Sequence, residues 1–215
     1  RLAIALVLLI LLITITSQQK ISITNFNLKK IEIENNFLLK EKDINKLLIP
    51  IYNQNLILLS NKEIEKAMME NNFIESFIVK KKYPDTLKIK IFEKKPVAIL
   101  FYKKKKYYLT EKIDLIDFKN LEGYENLPYV FGNKDRFRTL YNNLKKIDFP
   151  LKIIKDYTYF ETQRWDLKTK NKKIIKLPSK NYTQSLQNYL NIKDNESFKK
   201  FNIFDYRIED QLILK

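Results

Sequence analysis

The chain has 215 residues, 45% of them hydrophobic, which is enough for one large domain or two small ones and excludes wholesale disorder. Cys and His are absent and Gly occurs only twice, which removes zinc, iron–sulfur and haem sites, thiol and His-dependent catalysis, and Gly-rich phosphate loops. The net charge of +16 suits a polyanion, either nucleic acid or an anionic membrane surface. Two features weigh against reading it so. Lys greatly outnumbers Arg, whereas phosphate recognition favours the Arg fork. The excess of Lys, Asn, Ile, Tyr and Phe is also the residue set of AT-rich codons. No nucleic-acid partner, cofactor or metal is expected, and the lack of Cys fits any redox compartment.

Arg1 precedes the apolar run Leu2–Ser17, and the next charge is Lys20. A spanning helix needs about 17–25 apolar residues, so this run sits at the short edge. The sequence does not begin with Met, so 1–19 reads as a transmembrane anchor with a truncated N-terminus. The rival is a cleaved signal peptide, whose small-x-small cleavage pattern is lacking in Ile13-Thr14-Ile15-Thr16-Ser17. Lys29–Glu34 alternates as a strand and Asn35-Asn36 breaks it. Asp43 is placed to cap a short helix with Ile44, Leu47 and Leu48 inward, ended by Pro50. Ser60-x-x-Glu63 is a capping box ahead of Ile64, Ala67 and Met68 at helical spacing. Phe77–Lys82 reads as a strand and Tyr83-Pro84-Asp85 as a turn. Leu87, Ile89 and Ile91 then alternate with Lys88, Lys90 and Phe92, the period of a strand with one buried face. Pro96 cannot donate to a ladder, so it marks a strand end or a domain seam.

Beyond Pro96 the elements shorten. Val97–Tyr102 and Tyr107–Leu109 flank Lys103–Lys106, a solvated hairpin turn or a phosphate-binding patch. Lys112–Phe118 alternates, and Leu127–Gly132 is an apolar run stopped by Gly. Phe137, Leu140, Tyr141, Leu144 and Ile147 share one helix face. Ile153–Phe160 is a strand, Trp165 and Leu167 alternate with charges, and Asn171 turns the chain into Ile174–Leu177. Thr183 opens a second helix with Leu186, Tyr189 and Leu190 inward. Two runs end the chain, Asn202–Ile208 and Gln211–Leu214, split by Glu209-Asp210.

Several of these stretches resemble one family. Val79-x-x-x-Tyr83-Pro84-Asp85-Thr86-Leu87-x-Ile89-x-Ile91-x-Glu93-x-x-Pro96-Val97-Ala98 resembles the closing hairpin of a POTRA domain and its junction in the FtsQ/DivIB cell-division family. Ile31-x-Ile33-x-Asn35 and Asn72-Phe73-Ile74-x-x-Phe77-x-Val79 fit the same pattern. So do Leu127-Pro128-x-x-x-Gly132, Arg164-Trp165-x-Leu167, Ile175-x-Leu177-Pro178 and Phe204-Asp205-x-Arg207, in the family's order. One departure is Tyr52-Asn53-Gln54-Asn55, where the family usually has Gly; Asn tolerates positive φ.

The resemblance implies an α+β protein. An N-terminal transmembrane helix would lead into a POTRA domain (β-α-α-β-β, residues 20–95), then a mixed β domain with antiparallel strands and two helices (96–215). It implies a divisome scaffold of the bacterial inner membrane, its C-terminal bulk periplasmic at the division septum, with FtsB and FtsL among its partners. The POTRA unit would help recruit it. Physics alone leaves the terminal run, with nothing after it to cover it, either an edge for strand addition or an edge blunted by Glu209 and Asp210. The resemblance favours the former, with Tyr206, Arg207, Ile208, Gln211, Leu212, Ile213 and Leu214 as the partner-binding residues. The paired carboxylates Glu32/Glu34 and Asp114/Asp117 sit among solvated charges, and no catalysis is expected of them. The alternative is a POTRA-bearing outer-membrane assembly factor. Such proteins usually carry several POTRA units and a long barrel, against one unit and an N-terminal anchor here.

Overall fold

A computed structural model describes residues 2–15, 26–208 and 211–215. The chain divides into two compact units, Arg1–Glu93 and Lys94–Lys215.

The first unit opens with helix α1, Leu2–Ile15, 14 residues long and apolar except for Thr14. At 1.5 Å per residue that is about 21 Å, short of the ~30 Å hydrocarbon core of a bilayer. Among the described residues no helix is long and apolar enough to cross a membrane. The remainder of the expected anchor, residues 16–19, lies outside the described residues. The rest of the unit is a strand β1 (Lys30–Glu34), helices α2 (Glu41–Leu47) and α3 (Asn61–Met68), and strands β2 (Ile74–Lys82) and β3 (Thr86–Glu93). This is the expected β-α-α-β-β order. Strand β3 is central, parallel to β1 and antiparallel to β2. Its Leu87, Ile89 and Ile91 are fully buried, as are Ile44 of α2 and Ile64 and Met68 of α3. Ser60 accepts from the Glu63 N–H while the Glu63 carboxylate accepts from the Ser60 N–H, the capping box in full. Asp43 does not cap α2. The helix starts earlier, after Lys40, which makes no side-chain cap bond, and Asp43 falls in its first turn. Pro50 sits inside a short 3-10 turn, Ile49–Ile51, that follows α2. Asn53, standing where the family usually has Gly, takes φ 62°.

The second unit is one nine-stranded sheet in the order β12-β11-β10-β9-β8-β7-β4-β5-β6. Its strands are β4 (Pro96–Tyr102), β5 (Lys105–Thr110), β6 (Leu115–Asp117), β7 (Tyr129–Phe131), β8 (Ile154–Tyr159), β9 (Trp165–Thr169), β10 (Ile174–Lys176), β11 (Ile203–Asp205) and β12 (Ile213–Leu214). The expected antiparallel pairs are joined by three parallel ones, β4–β7, β7–β8 and β10–β11. A parallel pair needs a crossover, usually helical. Helix α4 (Lys134–Lys146) supplies it between β7 and β8. Helix α5 (Tyr182–Ile192) and a short α6 (Glu196–Lys199), which the hydrophobic pattern does not reveal, supply it between β10 and β11. Asn133 caps α4 through the Asp135 and Arg136 N–H groups. Asn181, in a left-handed conformation, precedes α5, which begins at Tyr182 and not at Thr183.

The strand register sorts the side chains into rows. Leu100, Val130, Tyr157, Leu167, Ile175 and Phe204 stand side by side across the sheet. They are buried in one core with Phe137, Leu140 and Leu144 of α4 and Leu186 and Tyr189 of α5. Trp165 is part of this core, edge-on to Phe137 at 6.2 Å. The next residue on each strand faces the other way. That row runs Lys106, Phe101, Phe131, Thr158, Asp166, Lys176, Asp205 and Ile213. It carries rings at one end and charges at the other.

Candidate functional site

The terminal run forms one edge of this sheet. Ile203 and Lys215 exchange both backbone hydrogen bonds, at 2.9 and 3.1 Å. In an antiparallel pair the residues on either side of such a pair direct N–H and C=O outward. Leu214, opposite Phe204, therefore turns both groups away from β11. Leu212, one alternation back, lies on the same side. The side chains of Leu212 and Leu214 pack against the core, and Ile213 is 37% exposed on the opposite face.

Beside this edge lies a groove of about 470 Å³ between the first turns of α5 and the segment after β11. Tyr206, Arg207, Ile208, Gln211 and Leu212 line it, facing Gln184, Ser185 and Asn188 of α5. Tyr206 is buried and its hydroxyl donates to Asn188 Oδ1 at 3.0 Å. Burial pushes that hydroxyl's pKa up. Arg207 is fixed by a fork onto Asp205, with Nε and Nη2 at 2.8 and 2.6 Å from the two carboxylate oxygens. These hydrogen bonds from Arg207, outweighing burial, hold the Asp205 carboxyl below its ordinary value of 3.8. Two strands away in the same row, beyond Lys176, burial raises the Asp166 carboxyl despite its 2.7 Å ion pair with Arg164. Ile208 is 51% exposed, and its carbonyl accepts from the Gln211 N–H. Glu209 and Asp210, named as blunting residues, lie outside the described residues.

All seven sequence-predicted residues thus fall in one place: five line the groove, and Ile213 and Leu214 form the edge strand. Sequence reasoning missed the α5 wall. Gln184, Ser185 and Asn188 sit at helical spacing opposite the inward Leu186 and Tyr189, which was the available signal. The arrangement offers backbone groups, a fixed guanidinium and an apolar rim, which is equipment for binding an extended chain.

The paired carboxylates are elsewhere. Glu32 bonds Lys30 and Lys82 at 2.9 and 2.8 Å, and Glu34 pairs with Lys88, all on the uncovered face of the three-stranded sheet. Two hydrogen bonds, from Lys30 and then Lys82, lower the Glu32 carboxyl to about 2. Among the described residues no group of three or more metal-ligating side chains is clustered.

Residues 26–94 match the family model described as "POTRA domain, FtsQ-type". Over 189 residues the chain is 27% identical to the cell division protein FtsQ of Rickettsia bellii (strain RML369-C), covering 84% of this chain and 70% of that protein. Identity is 25% over 187 residues to the cell division proteins FtsQ of Rickettsia conorii (strain ATCC VR-613 / Malish 7) and Rickettsia prowazekii (strain Madrid E), with the same shares covered. The chain thus carries an FtsQ-type match over residues 26–94 and is similar to cell division proteins FtsQ along most of its length.

Proposed function

We propose that this protein is a non-catalytic scaffold of the divisome, held in the inner membrane by its N-terminal apolar segment with its two units in the periplasm. In this reading the terminal edge of the second unit takes a strand from FtsB, in complex with FtsL, and so ties the septal peptidoglycan synthesis machinery to the division site. The boundaries that go with it are an anchor over 1–19, a POTRA domain over 20–95 and the binding domain over 96–215. The similarity to FtsQ supports the cell-division role. One observation carries the finer reading: Leu214 directs its N–H and C=O away from the sheet at an edge that no described strand covers. Strand addition there would draw affinity from the backbone, and specificity from the groove beside it.

Leu214→Pro tests this. Proline removes the outward N–H and leaves the β11–β12 bonds of Ile203 and Lys215 in place, as edge strands tolerate. The full chain with this change should unfold close to wild type and bind a periplasmic FtsB segment at least about tenfold more weakly, ~1.4 kcal/mol. Undiminished binding would sink the edge reading.

A further inference from the structure

The ring end of the open-face row lies on the far side of the sheet from β12. Phe101, Phe131 and Tyr129 form a cluster with ring centroids 5.9, 6.3 and 6.5 Å apart. Lys106 places its ammonium 5.6, 5.4 and 5.7 Å from the centres of Phe101, Phe118 and Tyr129. Lys103 lies 5.4 Å over Tyr102, and Arg164 lies 4.2 Å over Phe160, just past the end of β8. Because β4, β7 and β8 are parallel, Phe101, Phe131 and Phe160 all come from the same end of the sheet. Phe101, Phe131 and Tyr102 are 37, 40 and 47% exposed.

Two physical points bear on what this surface is for. Exposed rings gathered in one patch are unusual on a surface with nothing to bind, and Tyr, Phe and Arg are the residues enriched at protein interfaces. The cations over these rings also hold them in place, so little side-chain freedom remains to be lost on docking. The charge is one-sided. Lys103–Lys106 contribute four ammonium groups, and among the described residues none of them is in an ion pair.

We infer that this aromatic–lysine patch is a second docking surface, for an extended protein segment in which acidic residues alternate with apolar ones. Carboxylates would meet Lys106, which shares the face of Phe101, and the turn lysines Lys103 and Lys104, while the apolar side chains cover Phe101 and Phe131. The surface is independent of the terminal edge: four strands, β8 to β11, lie between Phe131 on β7 and β12. Ring contacts distinguish it from a surface that merely attracts anions, because only an apolar partner gains from covering phenylalanine.

The test uses the full chain in nanodiscs of neutral lipid and a labelled peptide of alternating Glu and Leu. Three variants are compared: Phe101→Ser with Phe131→Ser, Lys104→Glu with Lys106→Glu, and Leu214→Pro. The first two should each weaken binding at least about tenfold, as loss of interface anchors does, and the third should leave it unchanged. Should the double serine variant not fold, the charge reversal, which alters only exposed side chains, decides the question. Wild-type affinity in the folded ring or charge variant overturns the inference. So does loss of binding confined to Leu214→Pro, which would send the peptide to the terminal edge. Equal competition by polyglutamate, by a thymidine oligonucleotide or by vesicles of anionic lipid also overturns it, since the patch would then be a general anion surface.

Discussion

Glu93 ends β3, and its carboxylate accepts from the backbone N–H groups of Phe37, Leu38 and Leu39 at 3.0, 2.7 and 2.8 Å. The Glu93 of the hairpin motif is therefore a clamp that fastens one loop to a strand end. Asn35 plays a similar part: at φ 64° its amide donates to the Ile91 carbonyl at 2.7 Å. Gly132 is needed for a different reason. A Cβ there would come 2.5 Å from the Cβ of Tyr159, and its φ of 148° suits no other residue well. Gly132→Ala should destabilise the second unit by about 1–3 kcal/mol, read from chemical unfolding; an unchanged midpoint would mean that β7 and β8 can separate at no cost. Asp205 makes the clearest case for pH dependence. Its folded pKa lies below the unfolded one, so its stabilisation is complete above the ordinary 3.8 and is lost as pH falls through the folded value. Asp166, shifted upward, acts with the opposite sign: it favours the fold at low pH and loses that contribution as pH rises through its folded value. Asp205→Asn should cost about 1–2 kcal/mol at neutral pH, and the gap from wild type should close as the solution is acidified below about pH 4. A pH-independent gap would remove the Arg207 fork from the account.

At the scale of elements, what could be read beforehand follows how much each residue's role depends on its neighbours in sequence. The alternation of β3, the Ser60 capping box and the Phe137–Leu144 face of α4 are local patterns, and each sits where its periodicity puts it. Turns were harder because Gly is so scarce. Among the described residues nine non-Gly residues take positive φ; four are Asn or Asp, which favour it, but no residue-type signal marks the others, among them Ile113, a buried β-branched residue. The β4–β5 hairpin shows the effect. Its turn is only Lys103-Lys104, both at positive φ (47° and 65°), while Lys105 and Lys106 belong to β5. This is the dihedral pattern of a type I′ turn, which ordinarily calls for Asn-Gly. Replacing Lys103-Lys104 by Asn-Gly should raise stability by about 1 kcal/mol in thermal unfolding, since side chains in the left-handed region cost energy that Asn and Gly avoid. A loss of stability would show that the lysines make up the difference through contacts such as Lys103 with Tyr102. Of the expected run Gln211–Leu214 only Ile213–Leu214 is strand, and the parallel pairings were not legible at all. They are set by where helices return the chain across the sheet, a property of no single segment.

For the whole molecule, the charge is unevenly shared: the second unit holds 27 Lys and Arg against 15 Asp and Glu, so +12 of the net +16 lies there. Lysine itself is spread evenly outside the apolar run, 13 in residues 20–93 and 23 in residues 94–215, as codon composition would give. The candidate site itself was legible to the extent that it follows from position. Tyr206, Arg207, Ile208, Gln211, Leu212, Ile213 and Leu214 gather at a sheet edge and the groove beside it. What position could not supply was the α5 wall or the identity of the outward-facing amides, because both depend on register. That register also gives the most direct test. Amide hydrogen exchange of the full chain would be followed residue by residue, with and without a periplasmic FtsB segment. Strand addition predicts slowed exchange at Leu212 and Leu214, while Ile213, whose N–H already faces β11, changes little. Protection at β2 of the first unit, or no protection near the C-terminus despite binding, would contradict the claim that the terminal edge receives the partner.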